Sequence, residues 1–387
     1  MLIFEIRFLL AYFFFESLKN KVSAKRIRRT LDTLRTNSQK KDPKLALLHQ
    51  AYNDAMERVN GQPDDHKKLA NHVLSWIICA KRPLKTIEVQ YAWAVKDSEN
   101  EIDETAIPDA GDMLSACCGL IVIDKESEII RLVHYTVQEY FHITSTQWFP
   151  NAHFDIADTC VSYLSFKDFS GGPVRTIEDA DERLGKPLFT YAVDYWGHHA
   201  SACSFYTPQL LELLTNPEWV SMVAQFCNIF SEIRKYSWVS LHDLMPSQNA
   251  FHVVSVYGLN NLVQALLVRA QDTDPDRQDN KGRTPLSWAA EEGHTEVVKT
   301  LLCDGRVDPD RQDNKGQTPL SWAARNGHTE VVKTLLCDGR VDPDRQDNFG
   351  RTPLSWAAEE GDTEVVKTLL CDGRVDPDRQ DNFGRTP

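Results

Sequence analysis

The sequence has no long uninterrupted apolar run, no paired cysteine motif and no glycine-rich phosphate loop, and each absence narrows what it can be. The most apolar stretch, the N-terminal MLIFEIRFLLAYFFF, is broken by Glu5 and Arg7. It falls short of the roughly 20 apolar residues that cross a bilayer. No small-residue cleavage site follows it, so a buried helix is expected there rather than a signal or anchor, with no stable membrane insertion. Nine cysteines include no CxxC pair, and three of them, Cys303, Cys337 and Cys371, merely recur at a fixed interval. An odd count without a framework fits a reducing, cytoplasmic setting. Nowhere does G-x-x-x-x-G-K-[ST] occur, since Gly185-Lys186 is followed by proline. The backbone amides and lysine that hold nucleotide phosphates are therefore missing. The G-x-S-x-G elbow of a serine hydrolase is missing too. His198-His199 with Asp194 and Cys203 lacks the second ligand pair of a metal site and reads as packed imidazoles at a helix end near Gly197. No cofactor, metal or catalytic residue is expected.

Charge is plentiful but unevenly placed. The chain carries a net charge of −13. Residues 1–45 run against that sign and are basic. An acidic main body argues against nonspecific nucleic-acid binding.

What the sequence does have is repetition. From Asp274 it reads DPDRQDNKGRTPLSWAAEEGHTEVVKTLLCDGRV and repeats at a step of 34 residues, with Asp308, Asp342 and Asp376 opening later copies. Such a period means a stacked array. Asp279-Asn280-Lys281-Gly282 is a tight turn. Thr284 caps a helix with Pro285 in its first position. Leu286, Trp288, Ala289 and Ala290 supply its packing face, and Gly293 ends it in a left-handed cap. Thr295 and Glu296 start a second helix, Val297, Val298, Leu301 and Leu302 form its apolar stripe, and Gly305 stops it. Asn249-Ala-Phe-His-Val-Val-Ser-Val-Tyr-Gly258 aligns with Thr284 to Gly293 as a degenerate first unit. The last copy stops at Thr386-Pro387, which is read as truncation.

These units resemble the ankyrin repeat. Two features depart from it: the usual histidine after Thr-Pro-Leu is serine (Ser287, Ser321, Ser355), and the loop after the second helix is one residue longer. The resemblance implies a protein partner bound on a concave face lined by turn tips and first-helix ends. Copies one and two differ at Arg283/Gln317, Glu291/Arg325 and Glu292/Asn326, and copies one and three at Lys281/Phe349 and His294/Asp362. Neutral drift at exposed sites and tuning to a partner both fit this pattern. The candidate partner-binding residues are Lys281, Arg283, Glu291, Glu292, Lys315, Gln317, Arg325, Asn326, Phe349, Arg351, Glu359 and Glu360.

Upstream, His66 to Phe141 reads as three helices and a hairpin. Leu69, Val73, Leu74 and Ile77 stripe the first helix, Thr86 caps the second, and Asp109 or Asp112 starts the third. Leu120 to His134 forms two strands around a polar turn, and Thr136 caps a closing helix. That is a winged-helix pattern. Its third helix, Asp109 to Leu120, has no Lys or Arg, which disfavours DNA reading. Helices are expected at Asp155–Leu164, Pro187–Trp196, Pro208–Leu214 and Ser221–Phe230. AYNDAMERVNGQ, LSWIICAKRPL, CCGLIVID, IIRLVHYTVQEYF and YWGHHA resemble the winged-helix and helical region that follows the nucleotide-binding module of fungal NACHT proteins, which are receptor-like and end in repeat arrays. The same winged helix is often labelled after an inositol deacylase. Together these readings give a mainly α chain: a helical segment over 1–65 as the tail of an NTPase module, a winged helix with a small β-hairpin over 66–147, a helical bridge over 148–248, and an ankyrin solenoid over 249–387. The function expected is non-catalytic protein interaction within a nucleotide-switched receptor. A regulatory subunit of a separately encoded NTPase and a winged-helix DNA-binding protein are the alternatives.

Overall fold

The computed structural model describes residues 43–98, 100–203, 207–233, 247–269 and 272–387. Of the helical segment expected over residues 1–65, residues 1–42 lie outside these. The chain divides at Thr159/Cys160 into two compact units. The described residues are mainly helical, with one small sheet.

Among the described residues the first unit has α1 (Pro43–Asn60) and then α2 (Asp64–Cys79). After Pro83 a two-residue strand, β1 (Leu84–Lys85), leads into α3 (Thr86–Ala94). The third helix, α4 (Ala110–Ala116), starts where Asp109 accepts a hydrogen bond from the Gly111 amide at 2.7 Å. Strands β2 (Ile121–Ile123) and β3 (Ile129–Leu132) form the hairpin, and α5 (Tyr135–Trp148) follows. The sheet has three strands rather than the two expected. Its order is β1-β3-β2, all antiparallel, with Leu84 opposite Ile130 and Ile121 opposite Leu132.

Two threonines expected as caps do other work. Thr86 donates both its amide (2.9 Å) and its hydroxyl (2.8 Å) to the Glu128 carbonyl, tying α3 to the hairpin turn. Helix α5 is capped two residues earlier than expected, by His134 Nδ1 accepting from the Thr136 amide. The Thr136 hydroxyl lies 2.6 Å from that of Tyr52 on α1. Trp76, Tyr52, Tyr140 and Phe141 are fully buried around these bonds. The Tyr140 hydroxyl donates to Asn53 Oδ1 and accepts from the Trp148 indole. Buried hydroxyls left unpaired would each cost about 1–3 kcal/mol, so these bonds fix how α1 meets α5.

Helix α6 (Ala152–Leu164) runs across the division. The second unit continues with α7 (Ile177–Leu184), α8 (Phe189–Ser201), α9 (Pro208–Leu214) and α10 (Pro217–Ile233). Helix α9 keeps the bounds its Thr207-Pro208 start dictates. Helix α8 does not end at Gly197 but runs through it to Ser201, because that glycine faces a ring. A Cβ there would fall 2.2 Å from the Tyr257 side chain. Inside this helical region Phe169 stacks on Phe189, which meets Phe226 edge-on. Trp196 packs against both Trp219 and Tyr257, which joins the region to the first repeat.

Each repeat is a helix pair. The pairs are α11 (Ala250–Val256) with α12 (Asn260–Arg269), α13 (Pro285–Glu291) with α14 (Thr295–Leu302), α15 (Pro319–Arg325) with α16 (Thr329–Leu336), and α17 (Pro353–Glu360) with α18 (Thr363–Leu370). First helices pack on first helices, and second helices on second. Thr284, Thr318 and Thr352 each cap through a 3.2 Å bond from the amide three residues on.

The serine substitution is handled locally. Ser287 Oγ sits 3.1 Å from the Thr284 hydroxyl, inside its own repeat. Links between repeats come from elsewhere. His252 of the degenerate unit keeps histidine at the serine position, and its Nε2 meets the Arg283 carbonyl of the next repeat at 3.2 Å. His294 and His328 reach back to the Val256 and Glu291 carbonyls. The Asn314 and Asn348 amides pair with the Lys281 and Lys315 carbonyls. Arg340 and Arg374 donate to the Leu302 and Leu336 carbonyls.

Candidate functional site

The twelve candidate residues fall along one row, at the turn tips and first helices of successive repeats. In repeat one, Asp279 Oδ1 accepts from the amides of Lys281 (2.8 Å) and Arg283 (2.9 Å), closing the turn. Its other oxygen accepts from the Trp288 indole at 3.0 Å. The Arg283 guanidinium lies 3.3 Å above the Trp288 ring and pairs with Glu291 Oε2 at 3.0 Å. Repeat three copies the stack but not the indole bond: Arg351 sits 3.4 Å over Trp356 and pairs with Glu359 at 3.0 Å, while the Trp356 indole nitrogen makes no bond to Asp347.

Repeat two breaks the pattern. Gln317 replaces the stacked arginine and is only 1 % exposed. Neither its amide nitrogen nor its amide oxygen has a hydrogen-bond partner. Arg325 stands where the other copies have glutamate. It turns toward repeat three, 4.6 Å from the Trp356 ring and 3.6 Å from Glu360. Asn326 bonds back to the Trp322 carbonyl at 2.9 Å.

Lys281, Lys315, Glu292, Asn326, Glu359 and Glu360 are exposed, and Phe349 is 48 % exposed. Glu291, Arg325 and Arg351 are half-buried. Arg283 and Gln317 are buried, so the position that differs there is not the exposed site expected of drift. It belongs to the packing beneath the surface. Burial pushes the Glu291 carboxyl upward against the pull of Arg283, and does the same to Glu292. The tryptophans were placed on the packing face from sequence. Trp288 is half-buried and Trp322 and Trp356 are buried, and all three are the platform on which the variable charges rest. The signal for this lay in copy two, where Arg283 and Glu291 are exchanged together for Gln317 and Arg325.

In the second unit His199 Nε2 is 2.8 Å from the Tyr191 hydroxyl, and His198 packs edge-on against Tyr257. Among the described residues no group of three or more His, Cys, Asp or Glu could hold a metal ion. No helix of the described residues is long and apolar enough to cross a membrane.

Family comparisons agree with the geometry. Residues 250–347 match ankyrin repeats in three copies, and residues 349–382 match a further ankyrin repeat. Residues 57–151 match the family described as GPI inositol-deacylase, winged helix domain. The chain therefore carries a winged helix of that type followed by ankyrin repeats, which are non-catalytic protein-interaction modules. No curated protein matches it.

Proposed function

We propose that this chain is a non-catalytic interaction protein that binds a protein partner along the turn tips and first helices of its repeats. The observation that carries this reading is the row just described. Near-identical repeats differ almost solely where side chains sit on, or beside, the Trp288, Trp322 and Trp356 platform. Those side chains are held by stacking and ion pairs, so little conformational freedom is lost on binding. The winged helix and the helices after it transmit that binding within a cytoplasmic, nucleotide-switched receptor of the NACHT type. The order of winged helix then repeats supports this, and an odd number of cysteines with no CxxC pair suits a reducing compartment.

The test uses exposed positions, so that folding is spared. Partners of the full chain are collected by proximity labelling, purified and titrated. Glu292→Lys with Lys315→Glu and Phe349→Ala is expected to weaken a true partner at least about tenfold, with most of the loss in dissociation rate. Unchanged affinity across all three would remove the row as the binding surface.

A further inference from the structure

A groove in the first unit belongs to no function described so far. It runs from the end of α2 through residues 80–83, along β3, to the start of α5, and encloses about 1060 Å3. Its floor is apolar: Leu84, Ile130 and Phe141 are buried, while Ile77, Ile129 and Leu132 are half-exposed. Its rim carries Lys81, Arg82 and Arg131 with His134, His142 and His153. Among the described residues its walls include no aspartate or glutamate. In a chain with 56 acidic against 43 basic residues, that wall is set apart.

We propose that this groove binds an acidic amphipathic helix of a partner protein. Three observations select that occupant. First, Arg82 is held in place from behind: buried Glu88 pairs with both of its terminal nitrogens, at 2.6 and 3.0 Å, and also accepts from the Lys85 amide. Lys81 and Arg131 are exposed on either side of the floor. Carboxylates flanking an apolar stripe match that layout. Second, β3 is the central strand, with β1 on one side and β2 on the other. At Ile129 and Ile130 it has a neighbouring strand on both sides, so an extended peptide cannot add there as another strand and recognition rests on side chains. Apolar anchors at helical spacing meet that requirement. Third, the half-exposed isoleucines and Leu132 need an apolar counterpart. Nucleic acid offers phosphates and relies on many cationic contacts, and a flat bilayer does not enter a recessed floor.

The probe is a fluorescein-labelled helical peptide of about 18 residues, with Leu at i, i+3, i+4 and i+7, Glu only at the positions flanking that stripe and Ala elsewhere. It is titrated into the full chain by anisotropy. The same peptide with Lys for Glu, the same with Ser for Leu, a short DNA duplex, and phosphatidylserine-containing vesicles are run beside it. The Glu–Leu peptide is expected to bind at least about tenfold tighter than either altered peptide. Lys81→Glu with Arg131→Glu is expected to reverse the preference toward the Lys peptide. If that double variant loses helical signal, His142→Glu, exposed on the rim, is expected to weaken the Glu–Leu peptide several-fold. Equal binding of the Glu and Lys peptides overturns the proposal. So does binding of duplex or vesicles that the charge reversals abolish while the peptide stays unbound.

Discussion

The winged-helix unit and the tandem repeats solve the same problem in opposite ways. In the first unit each stabilising contact occurs once and joins residues far apart in sequence. Tyr52 meets Thr136, Tyr140 meets Asn53, and Thr86 meets Glu128. In the array one set of contacts recurs every 34 residues. His294 on Val256 becomes His328 on Glu291, and Gln278 on Gln312 becomes Gln312 on Gln346. A unique contact fixes one geometry and tolerates no drift. A recurrent one lets a single repeat change its surface while its neighbours keep the stack, because stability is close to a sum over repeats and their interfaces.

Acid separates the two most strongly. His72 lies between Trp76 and Trp93 with Nε2 unpaired, and burial, helped by Lys96, pushes it down to about 3 from 6.5. Below pH 6.5 the unfolded chain takes up a proton that the folded unit refuses. Stability is therefore complete above 6.5 and falls as pH drops toward 3, by up to about 1.4 kcal/mol per pH unit. Asp310 behaves oppositely. Its Oδ2 accepts from the Asp342 amide, its Oδ1 is buried without a partner, and burial, with Asp342 and Asp308 nearby, raises it to about 6. Its contribution is complete below pH 3.8 and is lost as pH rises through 6. Hydrogen exchange, corrected for intrinsic rates, is expected to show α2 losing protection between pH 6.5 and 4 while residues 308–342 gain it. His72→Leu is expected to flatten the first response and Asp310→Asn the second. Parallel loss in both regions would refute the contrast.

A smaller effect tests whether one repeat leans on the next. Gly293 and Gly361 share a left-handed backbone, at φ 79° and 76°. A Cβ on Gly293 would lie 2.7 Å from the His328 ring, whereas one on Gly361 meets nothing within 4 Å. Gly361→Ala is expected to cost about 1–2 kcal/mol from backbone conformation alone. Gly293→Ala is expected to cost about 1 kcal/mol more, and His328→Ala in the same chain to remove that excess. Urea midpoints decide it, and equal costs would show that the histidine gives way freely.

Much of this was legible in the chain because local rules sufficed. A 34-residue period, Thr-Pro at each helix start and Gly at each turn place the array without any tertiary information. Thr207-Pro208 does the same for α9. Other features needed the fold. Helix α7 has a cap at Thr176 and Ile177, Ala180 and Leu184 at helical spacing, but in so charged a segment that stripe is thin, and only Ala180 is buried. Gly197 ends no helix because Tyr257, sixty residues on, occupies the space beside it. Thr86 and Thr136 look like caps by type but bond to partners 42 and 84 residues away. The burial of Arg283 depends on a ring five residues later and a carboxylate eight residues later. Neither spacing follows a helical or strand period across the turn and cap between them.

The finest distinction is inside the array, where repeat two departs from repeats one and three. If Gln317 and Arg325 are a coupled exchange, restoring both should help and restoring one should not. Gln317→Arg with Arg325→Glu removes a buried amide with no partner, whose burial costs about 1–3 kcal/mol. It also returns a stacked cation to the Trp322 ring. The losses are the Arg325–Glu360 pair, whose side chains are 37 % and 47 % exposed and which contributes little, and the Arg325 contact at 4.6 Å with the Trp356 ring, which Arg351 already covers at 3.4 Å. A net gain of about 1 kcal/mol is expected from the double variant. Gln317→Arg alone sets two arginines side by side, and Arg325→Glu alone leaves a carboxylate without its cation, so neither is expected to stabilise. If Gln317→Arg alone gave the whole gain, the two positions would be independent. The middle repeat's altered surface would then reflect separate changes rather than one exchange made through the tryptophan platform.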